Sequence, residues 1–361
     1  MRVLVVSHTY VEPENRKKLH ALAAEGLEVR VAVPARWHER ALDRTWITAP
    51  TVEHGVRVVP VDVYRPLGSP AAAWWRALPS LDDVDLLHVE EEPWSLVAAV
   101  AIGRARRRGI PTTIFTWQNL AHHPRWPLSA LRRRTLLAAD GWMAGNRQAA
   151  ALLKRLDDLR PTTVVPQLGV DPPAPFVPSC TDGPLRVGFV GRLVPGKGVG
   201  DLLAAMGRLP DGVATLTVIG SGPERERLER MVGEHRWEDR VTFAGTVAHG
   251  EMASRWQDLD VLVLPSRTTG TWAEQFGHVL IEAMAAGVAV IGSDSGAIPE
   301  VIGEGGTVVP ERSPEALAAA LRPLTDRAVL TQRQAAAHRR ASAFTHAALA
   351  RRYRRFWEQC T

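Results

Sequence analysis

Cysteine is scarce in this 361-residue chain, which contains only Cys180 and Cys360. Neither belongs to a Cys-x-x-Cys pair or to a Cys/His cluster, so neither a structural zinc site nor a dithiol redox function is supported. One disulfide between the two remains open, although a cytoplasmic chain disfavours it.

Long apolar runs are missing as well. No stretch reaches the roughly 20 apolar residues that a membrane-spanning helix requires. The apolar run at residues 3–6 is too short for a signal peptide and is predicted to be a first strand. A cytoplasmic location is therefore expected, with the inner membrane surface as a variant of it.

Several cofactor motifs are also absent from the sequence. No GxGxxG follows the first predicted strand, which argues against a Rossmann dehydrogenase, and no GxxxxGK(S/T) frame is present for a P-loop. No specific signal marks a lysine-bound pyridoxal phosphate, which a phosphorylase would need. The sequence predicts no bound cofactor.

Positive charge is in excess. The net charge is +5, and arginines cluster at 104–108, 132–134 and 351–355. Two interpretations are open, namely solvated helix faces or attraction to an anionic lipid surface or an anionic acceptor. Nucleic-acid binding is not expected, because no aromatic-studded basic sheet or recognition-helix motif accompanies the charge.

The length and the hydrophobic pattern predict two α/β domains, because single cores rarely grow beyond about 250–300 residues. In the first half, short apolar runs alternate with helical patterns. They predict strands at 3–7, 29–33, 56–61, 86–89, 112–115, 142–144 and 163–165, and helices at 15–25, 96–107 and 129–139. Because the strands are almost wholly apolar, we expect a parallel sheet covered on both faces.

A second alternation follows a proline-rich stretch, with four prolines within 171–178. Proline cannot continue a helix or a central strand, so 171–184 is predicted to be a linker. Beyond it, strands are predicted at 186–190, 215–219, 241–244, 261–264, 288–292 and 307–309, and helices at 201–208, 225–232, 251–256, 278–286 and 314–321. We expect domains over 1–170 and 185–339, and a C-terminal helix near 340–361 that packs back on the first. Two doubly wound, Rossmann-like domains facing a central cleft would bind two substrates at the carboxyl ends of their strands.

Two acidic residues mark a predicted helix in the second half, one before its start and one within it. Glu274 precedes the helix that begins near Gly277, and Glu282 lies more than one turn inside it. A helix N-terminus exposes unpaired N–H groups that suit a phosphate. The two carboxylates could accept hydrogen bonds from sugar hydroxyls at the two ends of an extended ligand. The alternative is an ordinary helix-start acid and a surface residue.

Glycine-rich turns follow two predicted strands of the same half. The stretch 188–198 carries Arg192 and Lys197, two cations that could neutralise a diphosphate without a metal. Gly220, Gly222 and Pro223 form a second turn at the same edge of the predicted sheet. A solvent-exposed basic turn and a tight strand-to-helix turn are the competing interpretations.

These stretches, in this order, resemble the retaining glycosyltransferases of family 4, the glycosyl transferases group 1, which have the GT-B fold. The resemblance takes in 188–197, 218–223, 241–247, 260–266, 274–282 and 293–300, and more weakly 165–171. It implies that the second domain binds a UDP- or GDP-linked sugar as co-substrate and that the first domain binds the acceptor.

The resemblance also implies individual roles in the second domain. Arg192 and Lys197 would bind the donor diphosphate, Glu274 the transferred sugar and Glu282 the ribose. With Glu274, Arg192 and Lys197 as catalytic residues, the implied donor site comprises Gly191, Arg192, Lys197, Gly220, Gly222, Pro223, Thr246, Val247, Glu274, Phe276, Gly277 and Glu282.

The first half departs from the family pattern. Many members have a glycine pair after the first strand and a histidine after the fifth; here Trp117 follows the fifth, with His122 and His123 nearby. Polar and aromatic side chains that leave the carboxyl ends of these two strands predict acceptor binding by His8, Tyr10, Glu12, Arg16, Trp117, Gln118 and Asn119. The alternative is that Trp117 is a core residue and His8 a satisfied turn residue.

The combined pattern predicts transfer of a sugar, with retention, from a nucleoside diphosphate to a hydroxyl of a glycan, a glycolipid or a small-molecule natural product. No metal requirement is expected, because the acidic pair Asp258 and Asp260 precedes a predicted strand, at the edge away from the ligand. A sugar-nucleotide epimerase and a non-catalytic nucleotide-sugar-binding subunit are the alternatives.

Overall fold

The computed structural model describes residues 1–39, 44–64, 73–121, 126–178, 183–247 and 251–361. It divides into two compact units, the first formed by Met1–Gly169 with His346–Thr361 and the second by Val170–Thr345. His122, His123 and Cys180 lie outside the described residues, and Cys360 is free.

The first unit is built on an eight-stranded sheet. Its strands are β1 (Arg2–Val6), β2 (Glu28–Pro34), β5 (Thr51–Glu53), β6 (Val56–Val61), β9 (Leu86–Val89), β10 (Thr112–Thr116), β11 (Gly141–Ala144) and β12 (Thr162–Val164). Their order is β12-β11-β10-β9-β1-β2-β6-β5. Two small antiparallel pairs accompany the sheet, β3 (Arg36–Glu39) with β4 (Arg44–Ile47) and β7 (Val63–Tyr64) with β8 (Trp74–Trp75). The expectation of a wholly parallel sheet is wrong at one edge, because β5 folds back antiparallel onto β6.

The helices of the first unit are α1 (Lys17–Ala24), α2 (Leu96–Arg107), α3 (Leu128–Ala138), α4 (Arg147–Lys154) and α12 (His346–Cys360). Ser95 and Asn146 cap α2 and α4 by accepting bonds from the N–H groups of Ala98 and Ala149. Helix α12 packs against α1 and buries Tyr353 and Trp357 in the core of this unit.

The second unit contains a six-stranded, wholly parallel sheet. Its strands are β13 (Leu185–Val190), β14 (Ala214–Ile219), β15 (Val241–Gly245), β16 (Val261–Leu264), β17 (Ala289–Ser293) and β18 (Thr307–Val309), in the order β15-β14-β13-β16-β17-β18. The helices are α5 (Val199–Met206), α6 (Arg225–Glu234), α7 (Met252–Arg255), α8 (His278–Ala285), α9 (Ile298–Ile302), α10 (Pro314–Leu321) and α11 (Arg327–Ala341). From the stretch predicted as a linker, the Ala174 carbonyl bonds with His338 on α11, and the Phe176 ring lies 5.5 Å from the His338 ring.

Both sheets have the doubly wound strand order, so the prediction of two Rossmann-like α/β domains is confirmed. Strand order reverses between β1 and β9 in the first sheet and between β13 and β16 in the second. Ligands of open parallel sheets bind beyond the carboxyl ends of the strands at such reversals. The loops after these four strands are therefore where each unit offers a site.

Apolar side chains of the strands and of one face of each major helix form the cores. Within the described ranges, no helix is both long and apolar enough to traverse a bilayer.

Candidate functional site

Three side chains meet at the strand reversal of the second unit: the predicted site residues Lys197 and Glu274, and Ser266, which lies next to them. Lys197, in the turn after β13, places its Nζ 2.5 Å from Oε2 of Glu274. The hydroxyl of Ser266, just after β16, donates to the same oxygen at 2.8 Å. Glu274 is only 7% exposed and Ser266 is buried. Glu274 is therefore an anchored, ion-paired carboxylate and not an ordinary exposed acid at a helix start.

The two glycine turns pack directly on each other. A Cβ at Gly220 would lie 1.9 Å from the Gly191 carbonyl oxygen, and one at Gly222 would lie 2.3 Å from that of Leu193. Both glycines also have positive φ, +136° and +156°, a region that side chains disfavour. Glycine is thus required at these two positions, because the turns after β13 and β14 pack backbone against backbone. Pro223 follows Gly222 in the turn after β14.

Helix α8 carries the rest of the predicted signal. Gly277 precedes it with φ +75°, and Phe276 is buried with its ring 5.9 Å from that of Phe344. Glu282, in the second turn, lies 3.1 Å from Nδ1 of His278 and is 21% exposed. Predicted acids therefore occupy two different positions, one buried before the helix and one partly open along it.

Three other predicted donor residues lie at the surface of this unit. Arg192 is exposed, and within the described residues it makes no hydrogen bond or ion pair. Thr246, after β15, donates its hydroxyl to Ser221 at 3.1 Å, and Val247 follows it half-buried. An exposed guanidinium beside a glycine turn is available to an incoming anion.

The loop after β16 is held by contacts that sequence reasoning missed. Arg267 makes a two-pronged ion pair with Asp201 on α5, at 2.7 and 2.5 Å. The Thr268 N–H donates to Glu311 at 2.6 Å. The indole of Trp272 lies 5.3 Å from Nζ of Lys197. This loop fixes Ser266 and, through it, the carboxylate of Glu274. The sequence offered one signal for this loop: Arg267 directly follows the 260–266 segment, which contains a predicted strand.

At the strand reversal of the first unit, a pocket of about 350 Å³ opens. It lies beyond the carboxyl ends of β1, β9 and β10 and is lined by His8, Thr9, Glu90, Glu91, Glu92, Trp94, Ser95, Phe115, Trp117 and Gln167. Nδ1 of His8 lies 2.6 Å from Oε1 of Glu91, and the His8 ring stacks on Trp37 with centroids 4.7 Å apart. Of the predicted acceptor residues, His8 and Trp117 line this pocket.

Beneath the pocket lies a charged network that the sequence did not reveal. Glu90 is fully enclosed, and its oxygens accept from Lys18 at 2.7 Å, Tyr10 at 2.5 Å and Gln167 at 2.9 Å. Nε2 of His88 lies 3.0 Å from Glu90. Burial alone would raise the pKa of Glu90, but Lys18 and His88 outweigh burial and lower the pKa well below its usual range. Glu90 is therefore ionised inside the unit.

Tyr10 and Arg16, which are also predicted to bind the acceptor, are buried and do not line this pocket. Tyr10 has no exposed surface because its hydroxyl bonds with Glu90. Arg16 is 4% exposed, and its guanidinium donates hydrogen bonds to the carbonyls of Tyr10 and Val11 and to the carboxylate of Glu53. Both side chains support the loop after β1 from inside.

Of the other predicted acceptor residues, Glu12 and Gln118 are partly exposed, whereas Asn119 is buried. Glu12 is half-buried, and Gln118 accepts from Arg132 at 3.0 Å. Asn119 is 8% exposed. None of these three residues belongs to the pocket lining.

Trp117 is held in the pocket wall from three sides. Its indole N–H donates to Gln167 at 3.0 Å, and its ring meets Phe115 edge-on with centroids 5.0 Å apart. A Cβ at position 145 would lie 1.9 Å from the indole, so Gly145 provides its space. Gln167 in turn bonds with Thr9 and Glu90. Trp117 is thus a fixed aromatic wall, neither a free loop residue nor a fully buried core residue.

Glu92 gives the first unit a pH dependence. Burial raises the pKa of Glu92 to about 7, although Thr116 and the Trp117 N–H donate to it. In the unfolded chain a glutamate has a pKa of about 4.3, so the folded state holds a proton that the unfolded state releases. The stability that this proton gives is complete below pH ~4.3 and is lost as the pH rises through about 7.

We therefore expect the urea midpoint of Glu92→Gln to exceed that of the wild type by more at pH 8 than at pH 5, because the difference in bound protons accumulates between the unfolded and the folded pKa. The exposed Glu28→Gln is the matched control and should give equal differences at both pH values. An equal difference for Glu92→Gln at pH 5 and pH 8 would contradict the assignment.

In the part of the chain that the structure describes, no three His, Cys, Asp or Glu side chains are grouped so that they could hold a metal ion. Asp260 is buried immediately before β16, and both its oxygens accept from Arg186. Asp260 therefore lies at the amino end of β16, whereas Ser266 lies beyond its carboxyl end.

Family models match both units. Residues 12–167 match the glycosyl transferase 4-like domain, and residues 175–341 match the glycosyl transferases group 1. The two matches together take in most of the chain.

Two curated relatives from Mycobacterium tuberculosis share substantial identity. A GDP-mannose-dependent alpha-(1-6)-phosphatidylinositol monomannoside mannosyltransferase is 40% identical over 148 residues, 38% of each chain. A glycogen synthase is 31% identical over 275 residues, 71% of this chain and 63% of the relative. The chain thus spans between about two fifths and two thirds of the length of these relatives.

A solved structure shares the fold over the whole chain. The sucrose-phosphate synthase of Thermosynechococcus elongatus covers 99% of this chain and is itself covered to 98%, with a TM-score of 0.72 and 23% identity. The resemblance inferred from the motifs is confirmed: the chain belongs to the group 1 glycosyltransferases of family 4, and its structural neighbours have the GT-B fold.

Proposed function

We propose that this chain is a glycosyltransferase that moves a sugar from a nucleoside diphosphate to an acceptor hydroxyl, with retention of configuration and without a metal. The observation that carries the proposal is the Lys197–Glu274–Ser266 cluster at a strand reversal, beside two packed glycine turns. A cation and an anchored carboxylate at this place suit a ligand with a diphosphate and a sugar.

The proposed donor roles follow from charge and position. Lys197 neutralises Glu274 in the free protein, and a bound diphosphate would share that ammonium together with the exposed Arg192. Glu274 would then accept hydrogen bonds from the transferred sugar, and Glu282, farther along α8, from the ribose. Negative charge develops mainly on the departing diphosphate during the reaction, and the two cations would stabilise it there.

A UDP- or GDP-linked donor is part of the proposal. A relative of this chain is named as GDP-mannose-dependent, which supports a GDP sugar. The acceptor would bind in the pocket of the first unit, with its ring against the fixed indole of Trp117 and its hydroxyls near His8 and the adjacent Gln118. An aromatic face combined with polar groups suits a carbohydrate or a glycosylated lipid head group.

The test is thermal unfolding with a panel of UDP-, GDP- and ADP-linked sugars in the presence of a chelator. The correct donor at about 100 times its Kd should stabilise the native state by roughly 2.7 kcal/mol and raise the midpoint. Lys197→Met should lose this shift relative to its own baseline, whereas the matched variant Lys154→Met, on an exposed helix position, should keep it.

The proposal fails if no nucleotide sugar raises the midpoint, or if Lys197→Met responds like the wild type. A shift that appears only when manganese or magnesium replaces the chelator would overturn the metal-independent part alone.

A further inference from the structure

A broad groove on the first unit combines an apolar floor with a basic rim. It lies between α2 and α3, measures about 1050 Å³, and is lined by Leu96, Ala99, Val100, Ile102, Gly103, Arg106, Arg107, Ala130, Leu131, Arg133, Arg134, Thr135, Leu137 and Ala138. On α2, residues 96, 99, 100, 103, 106 and 107 follow helical spacing and therefore form one stripe. Leu96 and Val100 in this stripe are 37% and 38% exposed.

The four rim arginines have no counter-charge within the described residues. Arg106, Arg107, Arg133 and Arg134 are exposed and make no ion pair or hydrogen bond there. The arginines of α12 differ, since Arg354 pairs with Glu358 and bonds with the Glu25 carbonyl, and Arg352 bonds with the Val164 carbonyl. Arg352 and Arg354 of α12 are thus used within the fold, whereas the groove arginines are available to an outside anion.

We propose that this groove docks the protein on an anionic lipid bilayer. The apolar stripe of α2 would enter the boundary between head groups and acyl chains, and the four arginines would bind lipid phosphates. A second copy of the chain is a poor occupant, because a two-fold contact would place four unpaired arginines against four others. A nucleic acid would use the charge but leave the apolar floor exposed to water.

The charge and the apolar floor should contribute separately. Each arginine near an anionic surface contributes roughly fivefold to the partition constant, so removal of two should weaken binding about 30-fold at low salt. The apolar part should persist when salt screens the arginines.

The experiment is co-sedimentation of the full chain with vesicles of phosphatidylglycerol and phosphatidylcholine in equal parts, and with vesicles of pure phosphatidylcholine. The wild type should bind the anionic vesicles more than tenfold better. Arg106→Gln/Arg107→Gln should lose most of this binding. The control Arg230→Gln/Arg333→Gln removes the same charge from exposed helix positions of the second unit that form no ion pair with any residue the structure describes. It should bind like the wild type.

A third variant, Val100→Ser, should lower the residual binding measured in high salt. Equal loss in the two arginine pairs would show that net charge alone binds the vesicles and would overturn the groove assignment. Equal binding to both vesicle types, or a dimer in solution that Val100→Ser abolishes, would also overturn it. No sugar donor is present in this assay, so its result does not depend on the proposed transfer activity.

Discussion

Glu274→Gln is expected to lower kcat by about 100-fold or more while changing the affinity for the free nucleoside diphosphate by less than about twofold. The variant keeps the size of the side chain and its contacts with Ser266 and Lys197, but it loses the charge. Loss of an electrostatic contact that tightens only in the transition state appears in the rate constant. The measurements are steady-state turnover and calorimetric nucleotide affinity on the same preparation.

Glu282 provides the contrast for that prediction. Glu282→Gln should weaken the nucleotide itself and leave kcat near the wild-type value, because its carboxylate lies along α8 and not at its start. The exposed Glu304→Gln should change neither quantity. If Glu274→Gln keeps full turnover, or if its only defect is nucleotide affinity, the proposed orientation of the donor is reversed.

Lys18→Met is expected to destabilise the first unit by about 3–5 kcal/mol, because removing one partner of a buried pair leaves an uncompensated charge. Lys18 and Glu90 are both fully enclosed, 2.7 Å apart, and the ammonium also lies 3.8 Å from the centre of the Tyr353 ring. For a unit of this size the loss corresponds to a fall in Tm on the order of 10 °C.

The double variant Lys18→Met/Glu90→Gln distinguishes charge from packing. With the carboxylate gone, most of the lost stability should return, since a neutral pair needs no counter-ion. Lys17→Met, the adjacent and partly exposed lysine, should cost little. A double variant as unstable as Lys18→Met would mean that the methylene packing of Lys18, and not the ion pair, holds the unit.

The neighbourhood of Lys197 and Glu274 was predictable because its signal is local. Strands β13 and β14 and helix α8 are short apolar runs or periodic segments with a glycine turn beside each of them, and β16 is a short apolar run that ends just before Ser266. Strand–turn–helix order then brings Lys197, Ser266 and Glu274 to one edge of one sheet. What the sequence could not predict is that Lys197 and Glu274 pair directly, since 77 residues separate them.

The first unit shows the limit of local reasoning. The periodicity of 15–25 places Leu19 and Leu22 on one apolar face but carries no sign that Lys18 is buried. The partner of Lys18 is Glu90, which lies 72 residues away in the sequence. Tyr10 and Arg16 sit in a polar loop that predicts exposure, yet they bond with Glu90 and with backbone carbonyls. The β3–β4 pair and β5 were missed because they are rich in polar and exposed residues and lack the apolar run that marked the other strands.

Helix α12 belongs to the first unit although residues 346–360 are made only after the whole second unit. During synthesis on the ribosome, the second unit can therefore acquire its complete set of helices and strands before the first does. Until α12 is made, the face of α1 that packs on it is uncovered, and Lys18 lacks its contact with the Tyr353 ring. The ionised Glu90 is then less enclosed. The pocket of the first unit should consequently form last, so truncation within α12 should impair ligand binding at this pocket before it impairs ligand binding at the Lys197–Glu274 pair.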